Sequence, residues 1–364
     1  MRNFLFSAIA IAFGVLAPLV FGEILLRFLP VSTGLRVQPV NEASPVYRFL
    51  PGRDYVWSNG WDFNIVNRGQ VNNAGFVNDL DYEAEETTPL LAVIGDSYVE
   101  AAMVPFPDTL HGRLAAAVKD RGRVYSFAAS GAPLSQYLVW AQHAREVYRP
   151  DAMAFVVIGN DFDQSLLAYK RAPGFHYYRR DGGGALSLAR VDYEPSRLRQ
   201  IARLSALARY LVLHLNLLEA ASWLEALLNG ETQDFLGNVP RLVDSERVEA
   251  SKSAVEAFFR DLPQAAGLAP RRILFVVDGV RYSDAHDPEA YFVKMRRYFL
   301  DRARSLGYGA IDMDQLFMPE HRAKGTRFEF PTDAHWNAAG HRMAFEAIVA
   351  TDLLQETFGR PNGQ

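Results

Sequence analysis

The chain of 364 residues contains no cysteine. That absence excludes a disulfide framework, a thiolate zinc site, an iron–sulfur cluster and a cysteine nucleophile. There is also no surplus of positive charge. Thirty-eight Lys and Arg face 42 Asp and Glu, a net charge of −4, so the basic excess that binds the phosphate backbone of nucleic acid is missing. Internal repeats are absent as well. With 49% apolar and 22% charged residues the chain is neither disordered nor collagen-like. Its length exceeds what one compact core usually needs, so one large domain with additions is expected.

What is present begins with an uncharged, mostly apolar run from Phe4 to Gly22 that contains Pro18. Such a run matches the length of a helix that crosses the hydrocarbon core of a bilayer. The competing reading is a cleaved secretory signal, but the run is long for one and leads through Glu23 into Ile24-Leu25-Leu26 with no Ala-x-Ala site. Residues 1–30 are therefore expected to be an uncleaved anchor. Arg2 ahead of the run keeps its start in the cytoplasm and sends the remainder to the extracytoplasmic, periplasmic side.

Residues 31–88, rich in Asn, Gly, Pro and aromatics, read as an extended juxtamembrane flank that ends in a solvated acidic stretch, Asp81-Tyr82-Glu83-Ala84-Glu85-Glu86. The rhythm then changes. Residues 89–364 alternate apolar strands (Leu90–Ile94, Val124–Ala128, Met153–Ile158, Ile273–Val277, Ala310–Met313) with helices (Leu110–Val118, Leu134–Tyr148, Pro288–Leu306, Ala338–Leu353). Strands apolar throughout, separated by amphipathic helices, predict an α/β fold: a three-layer, doubly wound parallel sheet. Residues of about 169–262 break the alternation and read as a helical insertion. Its arginines 197, 199, 203 and 209 precede an apolar helix over Leu211–Leu228, a pattern that fits a sheet-capping helix or contact with a membrane surface.

Ligands of such sheets bind beyond the carboxyl ends of the strands, and chemistry-bearing residues stand at those positions. Ser97 in Gly95-Asp96-Ser97 follows the first strand and is the candidate nucleophile, although a serine there is by itself an ordinary helix cap. Gly131 follows the second strand and Asn160 the third, the first able to offer a backbone N–H and the second an amide to a developing oxyanion. Near the end, Pro331-Thr332-Asp333-Ala334-His335-Trp336-Asn337 brings a carboxylate and an imidazole together. A serine hydroxyl needs a histidine to take its proton, and the histidine needs an acid to fix its tautomer. His341 falls inside a helix and reads as structural. A metal site drawn from Asp333, His335 and His341 matches no zinc spacing, so none is assigned, and no cofactor is called for.

In order and placement these residues resemble the SGNH/GDSL hydrolase superfamily: Gly95-Asp96-Ser97 is similar to its nucleophile block, Gly131 to the glycine block, Gly159-Asn160-Asp161 to the asparagine block and Asp333-Ala334-His335 to the acid–base block. Asn73-Ala74-Gly75-Phe76 resembles the Asn-x-Gly-Phe that leads into the domain in membrane-anchored members. The family's usual last block is Asp-x-x-His; here a single residue separates acid from base. The Asp-x-His-Trp-Asn form resembles instead the subgroup related to polysaccharide O-acetylation.

The resemblance implies a flavodoxin-like sheet and a serine esterase or O-acyltransferase working through an acyl-serine, with Ser97, Asp333 and His335 catalytic and Ser97, Gly131 and Asn160 forming the oxyanion hole. It also implies an ester substrate, an acetylated glycan of the cell envelope. Tyr177, Tyr178 and Trp223 in the insertion are candidates to shape an acceptor groove. The alternative is a catalytically idle, membrane-tethered glycan-binding or assembly protein on the same fold.

Overall fold

The computed structural model describes residues 2–217, 235–236, 239–281 and 287–359, apart from the side chains of 2–5, 7–12 and 235–236. The chain divides into two compact units, the first of Met1–Arg36, Asp54–Gly69 and Pro195–Thr232, the second of Val37–Arg53, Gln70–Glu194 and Gln233–Gln364.

The first unit combines the N-terminal helix Arg2–Leu26, a hairpin of β1 (Arg53–Asn59) and β2 (Ile65–Val71), and the helices Arg197–Ala202 and Ala206–Leu213. Glu23 organises the packing. Its carboxylate accepts from Ser205 Oγ at 2.7 Å and from the N–H groups of Leu207 at 2.9 Å and Ala206 at 3.1 Å, satisfying donors that the helix Ala206–Leu213 cannot bond internally. Leu26, Val31 and Ala206 are buried there against Phe63, Leu207 and Tyr210. On the N-terminal helix Phe13, Leu16, Val20 and Phe21 are exposed. Among the described residues no helix is long and apolar enough to cross a membrane. The first half of the expected anchor lies for the most part outside the described side chains.

The second unit holds a five-stranded parallel sheet. Its strands are β3 (Leu90–Gly95), β4 (Arg123–Ala128) and β5 (Ala152–Val157). After a hairpin of β6 (His176–Arg180) with β7 (Leu186–Arg190) and the two-residue strands β8 (Phe235–Leu236) and β9 (Val239–Pro240), the sheet continues with β10 (Ile273–Val277) and β11 (Gly309–Asp312). The spatial order is β11-β10-β5-β3-β4, every sheet pair being parallel. This is the doubly wound 2-1-3-4-5 arrangement, in which the winding reverses between the first and third strands and opens a crevice at their carboxyl ends.

β3, β5 and β10 are apolar and buried at nearly every position, as strands covered on both faces must be. On one face Leu91, Val93, Val156 and Val276 pack with Leu110 and Leu114 of the helix Leu110–Val118 and Ala344 and Ile348 of the helix Ala338–Val349. The other carries an aromatic cluster, with Phe155 5.4 Å from Phe275 and Phe259 5.0 Å from Phe299. It is built by the helices Ser245–Ala266 and Tyr291–Ser305 against the strands.

Three expectations change. The acidic stretch 81–86 is not solvated throughout, because Tyr82 is buried with its ring stacked on Tyr125 at 4.0 Å and its hydroxyl donating to the Ser126 carbonyl at 2.7 Å. The Asn-x-Gly-Phe segment is core-forming rather than flanking. Asn72 Oδ1 accepts the N–H groups of Ala74 and Phe76, Gly75 turns at φ 86°, where a Cβ would sit 2.5 Å from the Phe49 carbonyl oxygen, and Phe76 is buried edge-on to Phe127 at 5.0 Å. Tyr177 of β6 is a fully buried packing group rather than a groove lining, whereas Tyr178, also largely buried, borders a cavity of about 700 Å³ together with Tyr169, Arg179 and Glu249. Of the helix expected over 211–228 only the part to residue 217 is described; Trp223 lies outside the described residues.

Phe76→Ala should lower the free energy of unfolding by about 3–5 kcal/mol, the cost of emptying a large buried aromatic site. Urea unfolding followed by circular dichroism measures it, and a loss below about 1 kcal/mol would place Phe76 outside the core.

Candidate active site

Where β3 ends the chain turns sharply. A Cβ on Gly95 would lie 2.5 Å from Val99 Cγ2, so only glycine fits. Asp96 then caps the short helix Ser97–Glu100, its Oδ1 accepting Tyr98 N–H at 2.9 Å. Ser97 Oγ lies 3.2 Å from Asp96 Oδ2. The serine is buried, at the mouth of the crevice that the reversal of winding opens.

The acid–base segment is a strand. β12 (Glu329–Phe330) and β13 (Asp333–Trp336) form an antiparallel pair outside the main sheet, and in extended backbone residues two apart share a face. A single intervening residue therefore suffices to put Asp333 beside His335. Asp333 Oδ1 accepts the His335 N–H at 2.9 Å and also bonds Nδ1 of the same residue. The other ring nitrogen, Nε2, is 2.8 Å from Ser97 Oγ across 238 positions of sequence. With Nδ1–H donating to the carboxylate, Nε2 is left as an acceptor for the serine proton.

A buried clamp holds this strand. The Ala334 carbonyl, between acid and base, accepts from Tyr98 Oη at 2.8 Å and from Arg281 Nη1. Arg281 Nη2 donates to Tyr98 Oη at 2.7 Å and to Asp278 Oδ2 at 2.7 Å. Asp278, just past β10, also accepts Trp336 Nε1 at 2.9 Å. Tyr98 is the neighbour of Ser97, so one guanidinium registers the serine turn against the imidazole strand.

A second network orders the other two loops. Glu100, at the end of the serine's own helix, accepts from Ser130 N–H at 2.6 Å and Ser130 Oγ at 2.8 Å. That fixes the turn in which Gly131 adopts φ 76°. The Gly131 carbonyl accepts from Lys170 Nζ at 2.8 Å, and Lys170 also donates to Gln164, which accepts the Asn160 amide at 3.4 Å. Asn160 Oδ1 is buried without a hydrogen bond. The loops of Gly131 and Asn160 are thus joined through Lys170 and Gln164, while Ser97, Asp333 and His335 meet directly, and the Glu100–Ser130 bonds tie the serine's helix to the Gly131 loop.

Burial and charge divide the ionisable groups. Burial pushes Asp96 up to about 6, against its bond from Tyr98 and the nearby His335 charge, and pushes Glu100 up to about 7 against its Ser130 bonds. Burial acts on Asp333 in the same direction, but the hydrogen bond and charge of His335 outweigh it and leave Asp333 below its ordinary value. For His335 burial is again opposed, by the bond to and charge of Asp333 with a contribution from Asp96, and the imidazole ends above its ordinary value. His341 accepts Leu110 N–H at Nδ1, 3.1 Å, and burial lowers it to about 3, so it is a neutral packing group.

Sequence reasoning missed Tyr98, Glu100, Asp278, Arg281 and Lys170. Asp278 alone carried a signal, standing after an apolar strand at the same edge as Ser97 and Asn160.

No family model matches the chain, and no curated protein matches it significantly. Among solved structures, an acetyl xylan esterase is 10% identical with a TM-score of 0.41, over 72% of this chain and 98% of that one. An alpha/beta hydrolase enzyme from the metagenome of Lake Arreo, Spain, is 13% identical with a TM-score of 0.40, over 74% and 95%. A member of the lipolytic protein G-D-S-L family from Veillonella parvula is 11% identical with a TM-score of 0.36, over 75% and 99%. Likenesses this distant do not carry function, which has to be argued from the side chains.

Arg281→Met should cost about 3–5 kcal/mol of unfolding free energy, because it leaves Asp278 buried without its charge partner. Tyr98→Phe, which removes one hydroxyl, should cost about 1–3 kcal/mol. Guanidinium titrations rank them; equal losses would mean that the charge is not what holds the strand.

Proposed function

We propose that the protein is a serine ester hydrolase or O-acyltransferase of SGNH type, anchored in a membrane by its N-terminal helix with the α/β unit on the extracytoplasmic side. The observation that carries the chemistry is the unbroken hydrogen-bond chain from Asp333 through His335 to Ser97 at the carboxyl edge of the sheet. Ser97 Oγ attacks the ester carbonyl carbon as its proton passes to His335 Nε2; the tetrahedral intermediate then expels the alcohol, which takes that proton, and an acyl-serine remains. Water or a sugar hydroxyl, deprotonated by His335, attacks the acyl carbon and frees Ser97.

Asp333 holds the ring in the accepting tautomer and, together with Asp96, stabilises the imidazolium. The N–H groups of Ser97 and Gly131 and the Asn160 amide are assigned to the oxyanion; the second hydrogen of the Asn160 NH2 is not used by its long bond to Gln164. An acetyl ester of an envelope glycan is the proposed substrate, supported by the Asp-x-His-Trp-Asn segment and the apolar N-terminal run. The anchor is supported by the uncharged stretch Phe4–Gly22 and by the exposure of Phe13, Leu16, Val20 and Phe21. The idle-protein alternative is disfavoured by the aligned base, since a protein that only binds has no chemical use for an imidazole 2.8 Å from a serine hydroxyl.

Ser97→Ala should abolish release of acetate from acetylated sugars and of nitrophenol from aryl esters, and a fluorophosphonate should label Ser97 in the parent. A folded parent that neither turns over nor becomes labelled would favour the idle protein. Asn160→Ala should lower kcat about 100- to 1,000-fold, as loss of one oxyanion donor does.

The pH profile gives a separate check. His335 works only when neutral, and its value is raised, so turnover should fall as pH drops through a midpoint above the ordinary histidine value of about 6.5. Asp333→Asn removes the larger cause of the elevation and should move that limb to lower pH while reducing kcat less than His335→Ala does. A limb that stays in place would remove Asp333 from its role.

A further inference from the structure

The first unit presents an apolar stripe that the chemistry does not use. Leu198, Ile201 and Leu204, three residues apart, are 75%, 66% and 66% exposed. A lone exposed leucine means nothing, but Leu198 and Ile201 share one side of the helix Arg197–Ala202, and Leu204 follows in the turn directly after it. Arg199 falls about 100° round the axis from Leu198, Arg203 follows the last helical residue, and Arg197 opens the helix about 100° the other way, at the edge of the stripe beside Ile201. Apolar residues on one side with arginines beside them are the pattern of a helix lying in a lipid–water interface.

The position of the stripe decides between that and an idle surface. Ser205, the residue after Leu204, donates its hydroxyl to Glu23 at 2.7 Å, and Glu23 is the first ionisable residue after the run Phe4–Gly22. A Cβ on Gly22 would lie 3.8 Å from Leu207 Cδ1, so the two helices touch at this level. As a helix the run spans roughly 28 Å at 1.5 Å per residue, close to the ~30 Å hydrocarbon thickness. On the anchor reading, Glu23 marks where the chain leaves the hydrocarbon, and the bond to Ser205 holds the stripe at that depth. Trp61, 70% exposed, belongs to the same unit and is tied to it by Tyr210 Oη donating to its carbonyl at 2.8 Å; Phe28, 83% exposed, follows Glu23 by five residues. Exposed aromatics concentrate at that level of a membrane.

We infer that the segment Arg197–Leu204 is a second membrane contact, lying along the bilayer surface with Leu198, Ile201 and Leu204 at the acyl boundary and Arg197, Arg199 and Arg203 on anionic lipid headgroups. The occupant is lipid rather than another protein because the stripe is continuous with the end of the apolar run and is flanked by cations. The inference rests on the anchor reading.

The chain has no cysteine, so single substitutions Leu16→Cys, Leu198→Cys, Gln200→Cys and Ile201→Cys each carry one environment-sensitive fluorophore in the full chain, reconstituted in phosphatidylcholine bilayers with or without 30% phosphatidylglycerol. All four positions are exposed, so the labels do not threaten the fold. Labels at 198 and 201 should shift to the blue and be quenched by brominated lipid, that at 200 much less, and each of the three arginines should add about fivefold to lipid-facing occupancy on the anionic bilayers. Replacing all three by Gln should remove that dependence on phosphatidylglycerol. A quenched label at 16 with water-exposed labels at 198 and 201 overturns the surface contact and leaves the anchor standing; a water-exposed label at 16 overturns the anchor and the contact with it.

Discussion

The buried guanidinium of Arg281 sets the geometry of the sheet edge. It is held by Asp278 at the end of β10 and in turn holds Tyr98 Oη and the Ala334 carbonyl. Because Ala334 stands between Asp333 and His335, fixing its carbonyl fixes the direction of both flanking side chains. Because Tyr98 follows Ser97, the same cation also sets the hydroxyl that those side chains face. A buried ion pair adds little net stability when complete, but breaking it is costly, so this one acts as a device for registry. Trp336, bonded to Asp278, ties the far end of β13 to the same point.

Around one imidazole the structure arranges three carboxylates in three environments. Asp333 is bonded by the ring and stays ionised. Asp96 and Glu100 are raised by burial to about 6 and about 7, and each has a structural task, one capping the serine's helix and the other holding the Ser130 turn. Similar groups acquire different roles through solvent access and hydrogen bonding rather than through identity. The elevated imidazole follows from this crowd of acids, since Asp96 contributes to it as well as Asp333.

Legibility in the sequence followed the range of the interaction. The sheet strands and most of their helices were readable because fully apolar runs such as Leu91–Ile94 and the amphipathic Leu110–Val118 are local patterns that burial enforces, whereas the sheet-covering helix Ser245–Ala266 was assigned to the insertion. Ser97, Asp333 and His335 could be nominated from strand ends and a short block. The adjacency of acid and base was harder to read, because it depends on residue 334 being extended, and that pairing with Glu329–Phe330 is not visible from Asp-x-His alone. Arg281, Glu100 and Lys170 left no trace, since the bonds that tie them to the site loops, to Ala334, Ser130 and Gly131, reach 30 or more positions along the chain. Tyr82 was misread for the opposite reason: its acidic neighbours dominated the local composition, while its own ring is claimed by Tyr125 and Ser126.

The short ladder that carries Asp333 and His335 has a temporal consequence. Synthesis runs from the amino end, so the turn bearing Ser97 leaves the ribosome long before residues 329–336. Until then the hydroxyl has only the weakly disposed Asp96 beside it and no imidazole to draw off its proton. A chain stopped anywhere before the closing ladder would carry Ser97 after its strand without a hydrogen-bonding imidazole, so the contact between these side chains is completed only once residues 333–335 are in place.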